Sequence, residues 1–491
     1  MQNEKWTRAV RILFVVHIPI LCIILCALKG HWIGEVFLPA GWISDEVSYF
    51  KQIQAIVEYG MPKGYWGYYE SAAEIGTFGA WPPFRFLPYA LLGKVIGWSY
   101  FTPILCNAVW GMLSCFIWLK LVKPSVCQMF AVMAGSMTIP FISRYTVSAL
   151  TESFVIALIW VLAGLIKSNC TEYTRKKNIW TYAAIFLLSM QRPYFAVLFF
   201  LPCCYTHRKG KKANFICSFI GAVSAVLSYE VTKLFYGQFF YSNENSGEKV
   251  SGLRALLEHM WDQFWEVAAL IREGNMTYGY AYLLMAVVLT LIFIKLIVMY
   301  KKSRLTDGLC VHAYVFFAIA AIFCSILGLY DPHAGSRHAF LAFMLGVALL
   351  LTFDTDDIKL CATLLAFNVM VFLLYLPNSS LMLRIPLKSE VSHVRETESE
   401  MQELLLCREN DRWANTIIVD RMAVDYNFVY YLPSFLGVQL VGDDFFTDDA
   451  EVKSGYMLTG TDGKGAEFCR ATGWKLLYEN ASGVCIYAKN E

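Results

Sequence analysis

The sequence predicts a mostly α-helical, polytopic membrane protein that ends in a small α/β domain. The 491-residue chain is 57% hydrophobic and only 16% charged, whereas soluble domains carry about 25% charged residues. Apolar stretches of about 17–25 residues, long enough to cross a bilayer, recur as far as residue 376. Residues 377–491 are more polar and contain short runs typical of strands.

We predict about eleven membrane spans. The first, AVRILFVVHIPILCIILCAL, has a longer apolar core than a typical cleaved signal peptide, so we interpret it as an anchor. Two short candidates on either side of QRPY could instead form one kinked helix or a re-entrant pair. The spans after the first lie near 101–120, 125–142, 152–168, 179–190, 193–206, 213–235, 278–300, 310–328, 339–353 and 358–376.

The basic residues predict the orientation, because cytoplasmic loops carry an excess of Lys and Arg. Basic clusters precede the first span and follow the second, fourth, sixth and eighth, so eleven spans put them on one side. The segment DTDDIK, after the tenth span, is the exception. If the two short spans were merged into one, KKSR and TRKKN would lie on opposite sides of the membrane. The charge pattern therefore favours counting both as spans. We expect a plasma-membrane protein with a cytoplasmic N-terminus and an extracytoplasmic C-terminal domain.

The membrane domain, residues 1–376, has outer loops with predicted helices of their own. In the first outer loop, 29–100, the segment DEVSYFKQIQAIVEYG has the apolar spacing of an amphipathic helix on the membrane surface. The prolines of WPPFRFLPYALLGKVIGW predict the start of a second surface helix. The segment LLEHMWDQFWEVAALI predicts another amphipathic helix in the loop at 236–277. In the tail, TIIVD, GYMLTG, WKLLYE and GVCIYAK predict strands.

Acidic residues stand where the chain meets the predicted outer face. Asp45 and Glu46 come soon after the first span, and Glu152 opens the fourth. One interpretation is helix capping, because acids suit the positive end of the helix dipole. The other is a general base at the membrane surface, which takes a proton from an acceptor hydroxyl. Both can hold, since capping needs only one acid.

Cationic residues lie on the same predicted face. Arginine donates a fork of hydrogen bonds that fits phosphate oxygens, and it can stabilise the charge of a departing phosphate. Alternatively, each arginine snorkels to lipid headgroups. Acids and cations together on one face favour an enzyme with a lipid-phosphate substrate. The cationic candidates are Arg144, Arg192, Arg337 and His338.

The first outer loop also holds candidates for contacts with a sugar. Aromatic side chains can stack on sugar rings or form an interfacial belt. Glu70 and Glu74 could compete with Asp45 for the role of base. The sequence lacks a Walker loop, GxGxxG, HExxH and GxSxG, and nothing in its net charge of +2 indicates a nucleic-acid partner. The sugar-contact candidates are Tyr65, Trp66, Tyr69, Glu70, Trp81 and Arg85.

The order of these features resembles the GT-C glycosyltransferases, a multi-pass class that includes protein O-mannosyltransferases and the aminoarabinose transferase of lipid A. The resemblance covers about residues 10–350. It rests on DE after the first span, WPPFRFLPYALLGKVIGW before the second, RYTVSALTES at the fourth and SRHAFLAFMLGVALL late in the core. Trp81 replaces the usual Lys or His before two prolines, His338 replaces Tyr, and Glu152 lacks a preceding Pro.

The resemblance implies an enzyme that takes a sugar from a polyprenyl-phosphate carrier at the outer face, usually with inversion. It implies Asp45 as catalytic base with Glu46 as its neighbour, Glu152 as a second acid, and Arg192 and Arg337 as contacts to the carrier phosphate. The sugar stays open, and the acceptor could be a glycan, a lipid or a protein. Whether the DE pair binds a divalent cation also stays open.

Other functional classes remain after this comparison. A flippase or transporter of lipid-linked sugars would place charges at span midpoints, where Lys295 and Glu230 are its best candidates. A non-catalytic scaffold with a glycan-binding outer domain would make the tail essential and Asp45 dispensable. A ligase or polymerase of surface polysaccharide would share the fold and the lipid donor.

Overall fold

The computed structural model describes residues 2–32, 44–60, 66–68, 70, 83–205, 211–235, 253–273, 278–302, 306–353, 366, 370, 373, 394–407, 411, 413–447 and 451–490. Helices dominate these ranges. They are α1 (Gln2–Ala27), α2 (Ser44–Tyr59), α3 (Leu87–Ile96), α4 (Thr102–Val122), α5 (Val126–Thr138), α6 (Pro140–Thr146), α7 (Glu152–Thr171), α8 (Arg175–Gln191), α9 (Lys211–Phe235), α10 (Leu253–Arg272), α11 (Gly279–Lys302), α12 (Asp307–Leu329), α13 (Pro332–Phe353), α14 (Val394–Leu404) and α15 (Lys464–Ala471).

The membrane-spanning helices form a multi-pass bundle. Among the described residues, α1, α4, α7, α11, α12 and α13 are long and apolar enough to cross a membrane. The helices α5 and α6 are bent by 76° and make a seventh span if they count as one. Pro140 begins α6 and disfavours a helical conformation at Ile139, which is extended and so produces the bend.

The described helices thus give six or seven spans, fewer than the eleven predicted. The predicted span 125–142 is the bent pair. The predicted spans 179–190 and 193–206 are the 17-residue α8 and a 12-residue 3-10 helix, Pro193–Cys204, and the apolar part of α9 is only Lys212–Ser228. These segments are short for a bilayer of about 30 Å. The predicted span 358–376 lies outside the described residues, apart from 366, 370 and 373.

The segments on either side of QRPY are nevertheless two separate antiparallel helices. At one end of α8, Gln191 donates a hydrogen bond to the carbonyl of Phe84 (3.1 Å). At the other end, Asn178 donates to Asn214 Oδ1 (2.9 Å), and Asn214 donates to the carbonyl of Pro202 at the far end of the 3-10 helix (3.3 Å). They do not form one kinked helix, in agreement with the charge pattern.

The C-terminal residues form a six-stranded sheet in the order β1-β3-β2-β4-β6-β5. The strands β1 to β4 pair in parallel, whereas β6 and β5 are antiparallel. The four strands predicted in the tail correspond to β2, β4, β5 and β6, and β3 was not predicted. The strands are β1 (Trp66–Tyr68), β2 (Thr416–Asp420), β3 (Gly437–Val441), β4 (Tyr456–Gly460), β5 (Lys475–Glu479) and β6 (Val484–Ala488).

The first outer loop contributes strand β1 to this sheet. Trp66 pairs with Val438 of β3 at the sheet edge. Glu70 is buried, and its carboxylate accepts hydrogen bonds from the N–H groups of Lys453 (2.9 Å) and Ser454 (2.7 Å). The C-terminal domain therefore includes chain from outside its predicted boundary at 377.

Helix α2 is present where the apolar spacing predicts it, but its predicted location on the membrane surface is wrong. Residues 46–55 are all buried. Tyr49 and Ile53 belong to the core of the membrane helices, whereas Val47 and Phe50 belong to the core beneath the C-terminal sheet. The Phe50 and Tyr430 rings lie 5.3 Å apart. The second domain covers the face of α2 that would otherwise meet solvent or lipid headgroups.

Candidate active site

The turn before α7 places Glu152 at the end of the bundle nearest the C-terminal domain. Asn107, on α4, organises this turn: the two N–H groups of its Nδ2 are shared among three carbonyls of residues 145–148, at distances of 2.8–3.1 Å. The hydroxyl of Tyr89 donates in turn to Asn107 Oδ1 (2.7 Å). The buried amide thus satisfies backbone groups that the chain leaves unpaired between two helices.

Glu46 contacts the same turn. Its Oε1 accepts a hydrogen bond from the N–H of Ala149 (2.9 Å), and the side chain is fully buried. This contact joins the first turn of α2, which carries Asp45, to the segment that presents Glu152. Neighbouring side chains on a helix point in directions about 100° apart. Asp45 therefore points away from Glu46 and contacts Arg337 and Tyr49. The two acids therefore contact different groups: Glu46 binds the backbone of this turn, whereas Asp45 binds Arg337.

Five charged side chains from five segments meet at this end of the bundle, and we call them the charged cluster. Glu152 Oε1 accepts a hydrogen bond from Arg192 and lies 3.8 Å from Arg85 Nη2 and 4.0 Å from Arg337 Nη1. Arg337 Nη2 donates a 2.5 Å hydrogen bond to Asp45 Oδ2. The charged cluster thus consists of Asp45, Arg85, Glu152, Arg192 and Arg337.

The charged cluster has an inner and an outer part. Arg85, Glu152 and Arg192 have fully buried side chains, whereas Asp45 is 31% and Arg337 13% exposed. Three cations face two anions, so the five groups carry one net positive charge. Arg337 Nη1 is buried and forms no hydrogen bond with the residues that the structure describes. The outer part therefore has a donor nitrogen that makes no hydrogen bond within those ranges and lies 4.0 Å from the Glu152 carboxylate, a feature that suits an anionic ligand.

The pKa of Asp45 reflects this environment. Burial favours the neutral carboxyl, but the charge and hydrogen bond of Arg337 outweigh it, with smaller contributions from Arg85 and the Tyr49 hydroxyl, which lies 3.4 Å from Oδ2. The pKa of Asp45 therefore lies below its usual value. Asp45 is ionised at neutral pH but is a weak base while it remains paired with Arg337.

Aromatic side chains surround the cationic groups. The Arg85 guanidinium lies 4.5 Å from the centre of the Tyr49 ring, a cation–π distance. His338, next to Arg337, shares a 3.0 Å hydrogen bond with the Tyr194 hydroxyl and stacks on Tyr330 at 4.2 Å. The structure thus holds His338 between two tyrosines beside the charged cluster.

The remaining predicted site residues lie elsewhere or outside the described ranges. Arg144 is buried in α6, on the segment that leads to the turn before Glu152. Glu70 belongs to the contact between the first loop and the C-terminal domain. Trp66 lies on β1, where the structure describes only its backbone pairing. The positions of Tyr65, Tyr69, Glu74 and Trp81 are outside the described residues.

The sequence did not single out Asn107, Tyr89, Tyr49, Tyr194 or Tyr330. Asn107 had one available signal, because a polar amide within the apolar span 101–120 needs partners inside the protein. The four tyrosines are indistinguishable in sequence from the other aromatic residues of a membrane protein. Their contacts with Arg85, Asn107 and His338 depend on the packing of segments far apart in the chain.

The described polar groups agree with the predicted sidedness of the bundle. Four members of the charged cluster lie in the first turns of α2 and α7, in the second turn of α13 and just after the last turn of α8. The basic residues Lys120, in the last turn of α4, and Arg175, at the start of α8, lie at the opposite ends of their helices. The cellular orientation of these two ends remains a prediction.

Comparison with known proteins identifies the fold. No protein-family model and no curated protein matches the sequence. The structure of ArnT from Cupriavidus metallidurans bound to undecaprenyl phosphate is 10% identical, with a TM-score of 0.53 over 97% of both chains. The apo ArnT structure is also 10% identical, with a TM-score of 0.54 over 99% of this chain and 98% of that one.

This chain has the ArnT fold. ArnT is an aminoarabinose transferase and a GT-C glycosyltransferase. The predicted fold class, a polytopic helical bundle with a C-terminal domain, is therefore confirmed, and the resemblance to the GT-C class is confirmed at the level of the fold. The likeness to ArnT extends over both the membrane helices and the C-terminal sheet, beyond the residues 10–350 on which the sequence resemblance rests.

Proposed function

We propose that this protein is an integral membrane glycosyltransferase that moves a sugar from a polyprenyl-phosphate carrier to an extracytoplasmic acceptor. The charged cluster is the observation that carries the proposal. It joins a partly exposed carboxylate to an excess of arginine in an ArnT-like fold, and one of the ArnT structures is bound to undecaprenyl phosphate. A general base and a phosphate site are the two parts that such a transfer needs.

In the proposed reaction, the carrier phosphate binds at Arg337. The acceptor hydroxyl attacks the anomeric carbon of the sugar, and Asp45 takes the hydroxyl proton. The bond between the anomeric carbon and the phosphate oxygen breaks, and its electron pair stays on the phosphate. The arginines stabilise the resulting charge, so the leaving group needs no general acid. Attack opposite the leaving group inverts the anomeric carbon.

Glu152 is a positioning residue in this scheme. It is fully buried, and it holds Arg192 by a hydrogen bond and Arg85 at 3.8 Å. An arginine held in place in a site of low dielectric stabilises a developing anion without having to reorganise during the reaction. Arg85 is further fixed by a hydrogen bond from its Nε to Thr151 Oγ1 (2.9 Å).

The charge distribution favours this proposal over a transporter. Transporters bind their substrates near the bilayer midplane, often at broken helices. Here the charged cluster lies at helix ends, next to the C-terminal domain. Neither of the transporter candidates belongs to the charged cluster: Glu230 is exposed on α9 and Lys295 half-buried on α11.

Transfer of radiolabelled sugar from synthetic short-chain polyprenyl-phosphate sugars by the purified protein tests the proposal. We expect activity in the native protein, a loss of about 100-fold or more in Asp45→Asn, and full activity in the exposed control Glu172→Gln. Equal activity in Asp45→Asn would reject Asp45 as base. Absence of transfer from every carrier tested, with folded native protein, would reject the glycosyltransferase.

A further inference from the structure

We propose that Arg337 changes its partner during the reaction: it holds Asp45 in the unliganded enzyme, and the carrier phosphate then takes Arg337 from Asp45. Asp45 becomes available as a base only once the donor has bound. This inference rests on the proposed function and adds an order of events to it. It makes Arg337 a switch between two anions as well as a phosphate contact.

The geometry places this exchange at the accessible side of the charged cluster. The 2.5 Å bond joins the two members that retain solvent exposure, at 31% for Asp45 and 13% for Arg337. Buried charge pairs are expensive to separate because each partner would be left without compensation. A partly exposed pair can be separated when an incoming anion compensates the cation.

Arg337 is the arginine of the charged cluster best suited to exchange. Arg192 hydrogen-bonds Glu152, and both side chains are fully buried. Arg85 is fully buried between Glu152, Thr151 and the Tyr49 ring. Arg337 comes only within 4.0 Å of Glu152, and its one short bond goes to Asp45.

The shape of the guanidinium group makes the competition direct. Arginine binds phosphate best through two parallel N–H groups. In Arg337, Nη2 already donates to Asp45, whereas the buried Nη1 has no hydrogen-bond acceptor within the described ranges. A phosphate that engages both nitrogens must therefore displace the Asp45 carboxylate. Repulsion between the phosphate and the carboxylate drives the displacement further.

Release changes the chemistry of Asp45. The pairing with Arg337 is the main influence that keeps the pKa of this half-buried carboxyl low. Without this pairing, the carboxylate is a stronger base in the same half-buried position. Donor binding would thereby switch on the base beside the anomeric carbon. In the absence of donor, the paired Asp45 is held inactive.

A double-mutant cycle on carrier binding tests the exchange. The probe is undecaprenyl phosphate without sugar, and the dissociation constant is measured for native protein, Asp45→Asn, Arg337→Gln and the double variant. We expect Asp45→Asn to bind the probe about fivefold or more tightly while it loses sugar transfer, because the competitor for Arg337 is gone. In the Arg337→Gln background, the same change should alter the dissociation constant by less than about twofold.

A matched control separates exchange from the general effect of removing a negative charge. Asp331 is exposed at the start of α13 and accepts hydrogen bonds from the N–H groups of His333 and Ala334. Asparagine also caps helices well, so Asp331→Asn removes one charge six residues before Arg337 and keeps the helix start. We expect it to change probe binding by less than about twofold. Arg337→Met, which also removes the cation, replaces Arg337→Gln if the latter fails to fold.

The outcomes distinguish this inference from the proposed function. Tighter binding in Asp45→Asn that depends on Arg337 supports the exchange. Binding that is unchanged or weaker in Asp45→Asn, or equally tightened in the Arg337→Gln background, overturns the exchange and leaves the glycosyltransferase standing. Failure of folded native protein to bind the probe at all overturns both.

Discussion

Replacement of Glu152 by glutamine tests whether the inner part of the charged cluster depends on this one carboxylate. Arg85 Nη2 and Arg337 Nη1 lie 3.8 and 4.0 Å from its Oε1, and Arg192 hydrogen-bonds the same oxygen. Glutamine keeps the shape and one acceptor oxygen but removes the charge. Arg85 and Arg192, both fully buried, then lose their shared counter-ion.

The expected magnitude follows from these distances. At an effective dielectric of about 20, a unit charge about 4 Å away contributes about 4 kcal/mol of attraction. Three arginines give a gross attraction of about 12 kcal/mol, which the desolvation of the buried carboxylate offsets in large part. Removal of one partner from a buried ion pair costs about 3–5 kcal/mol. We therefore expect Glu152→Gln to lower the unfolding free energy by about that amount.

Thermal unfolding of purified protein in detergent, followed by tryptophan fluorescence, measures the effect. Glu172→Gln is the matched control, because Glu172 directly follows α7, at the end opposite Glu152, and pairs with Lys177 at 3.2 Å while remaining 77% exposed. An exposed pair contributes about 1 kcal/mol or less. If both variants shifted the unfolding temperature equally, the arginines would not depend on Glu152 and the electrostatic reasoning would fail.

Three further changes test the surroundings of the charged cluster. Asn107→Leu should lower the unfolding free energy by about 2–4 kcal/mol, because three carbonyls near Glu152 lose their donor. The same change should lower the rate of sugar transfer. An unchanged rate in a folded variant would refute the positioning role of Asn107. Glu70→Gln should loosen the first loop, because the carboxylate that accepts hydrogen bonds from Lys453 and Ser454 becomes a neutral amide. The expected result is faster amide hydrogen exchange in β1, and an unchanged exchange rate would contradict it. Burial lowers the pKa of Lys51 from 10.5 to about 8, against the opposite effects of Glu398 and Glu58. The folded protein then binds fewer protons than the unfolded chain between those pH values, so its stability should rise by about 3 kcal/mol from pH 8 to 10.5. Lys51→Met should lack this rise, and a native protein without it would count against the burial of a charged lysine.

The local patterns of the sequence determined the elements that carry the site. Apolar spacing alone predicts α2 and α10, and alternating β-branched and aromatic runs predict four of the six strands. Acids at helix starts and basic clusters at the other ends of the spans indicate the functional end of the bundle. These inferences succeed because helical period, strand propensity and charge preference act between residues close in the chain.

The tertiary structure decided which of those candidates meet. Arg85 and Glu152 are separated by 67 residues, and Arg337 lies almost 300 residues after its partner Asp45, so no local pattern could pair them. Strand β1 was not predicted, because a three-residue run forms a strand only when the edge of β3 offers it hydrogen bonds. The burial of α2 likewise depends on the second domain. Its amphipathic pattern shows that the helix needs a partner, whereas the fold of the whole chain provides one on each side.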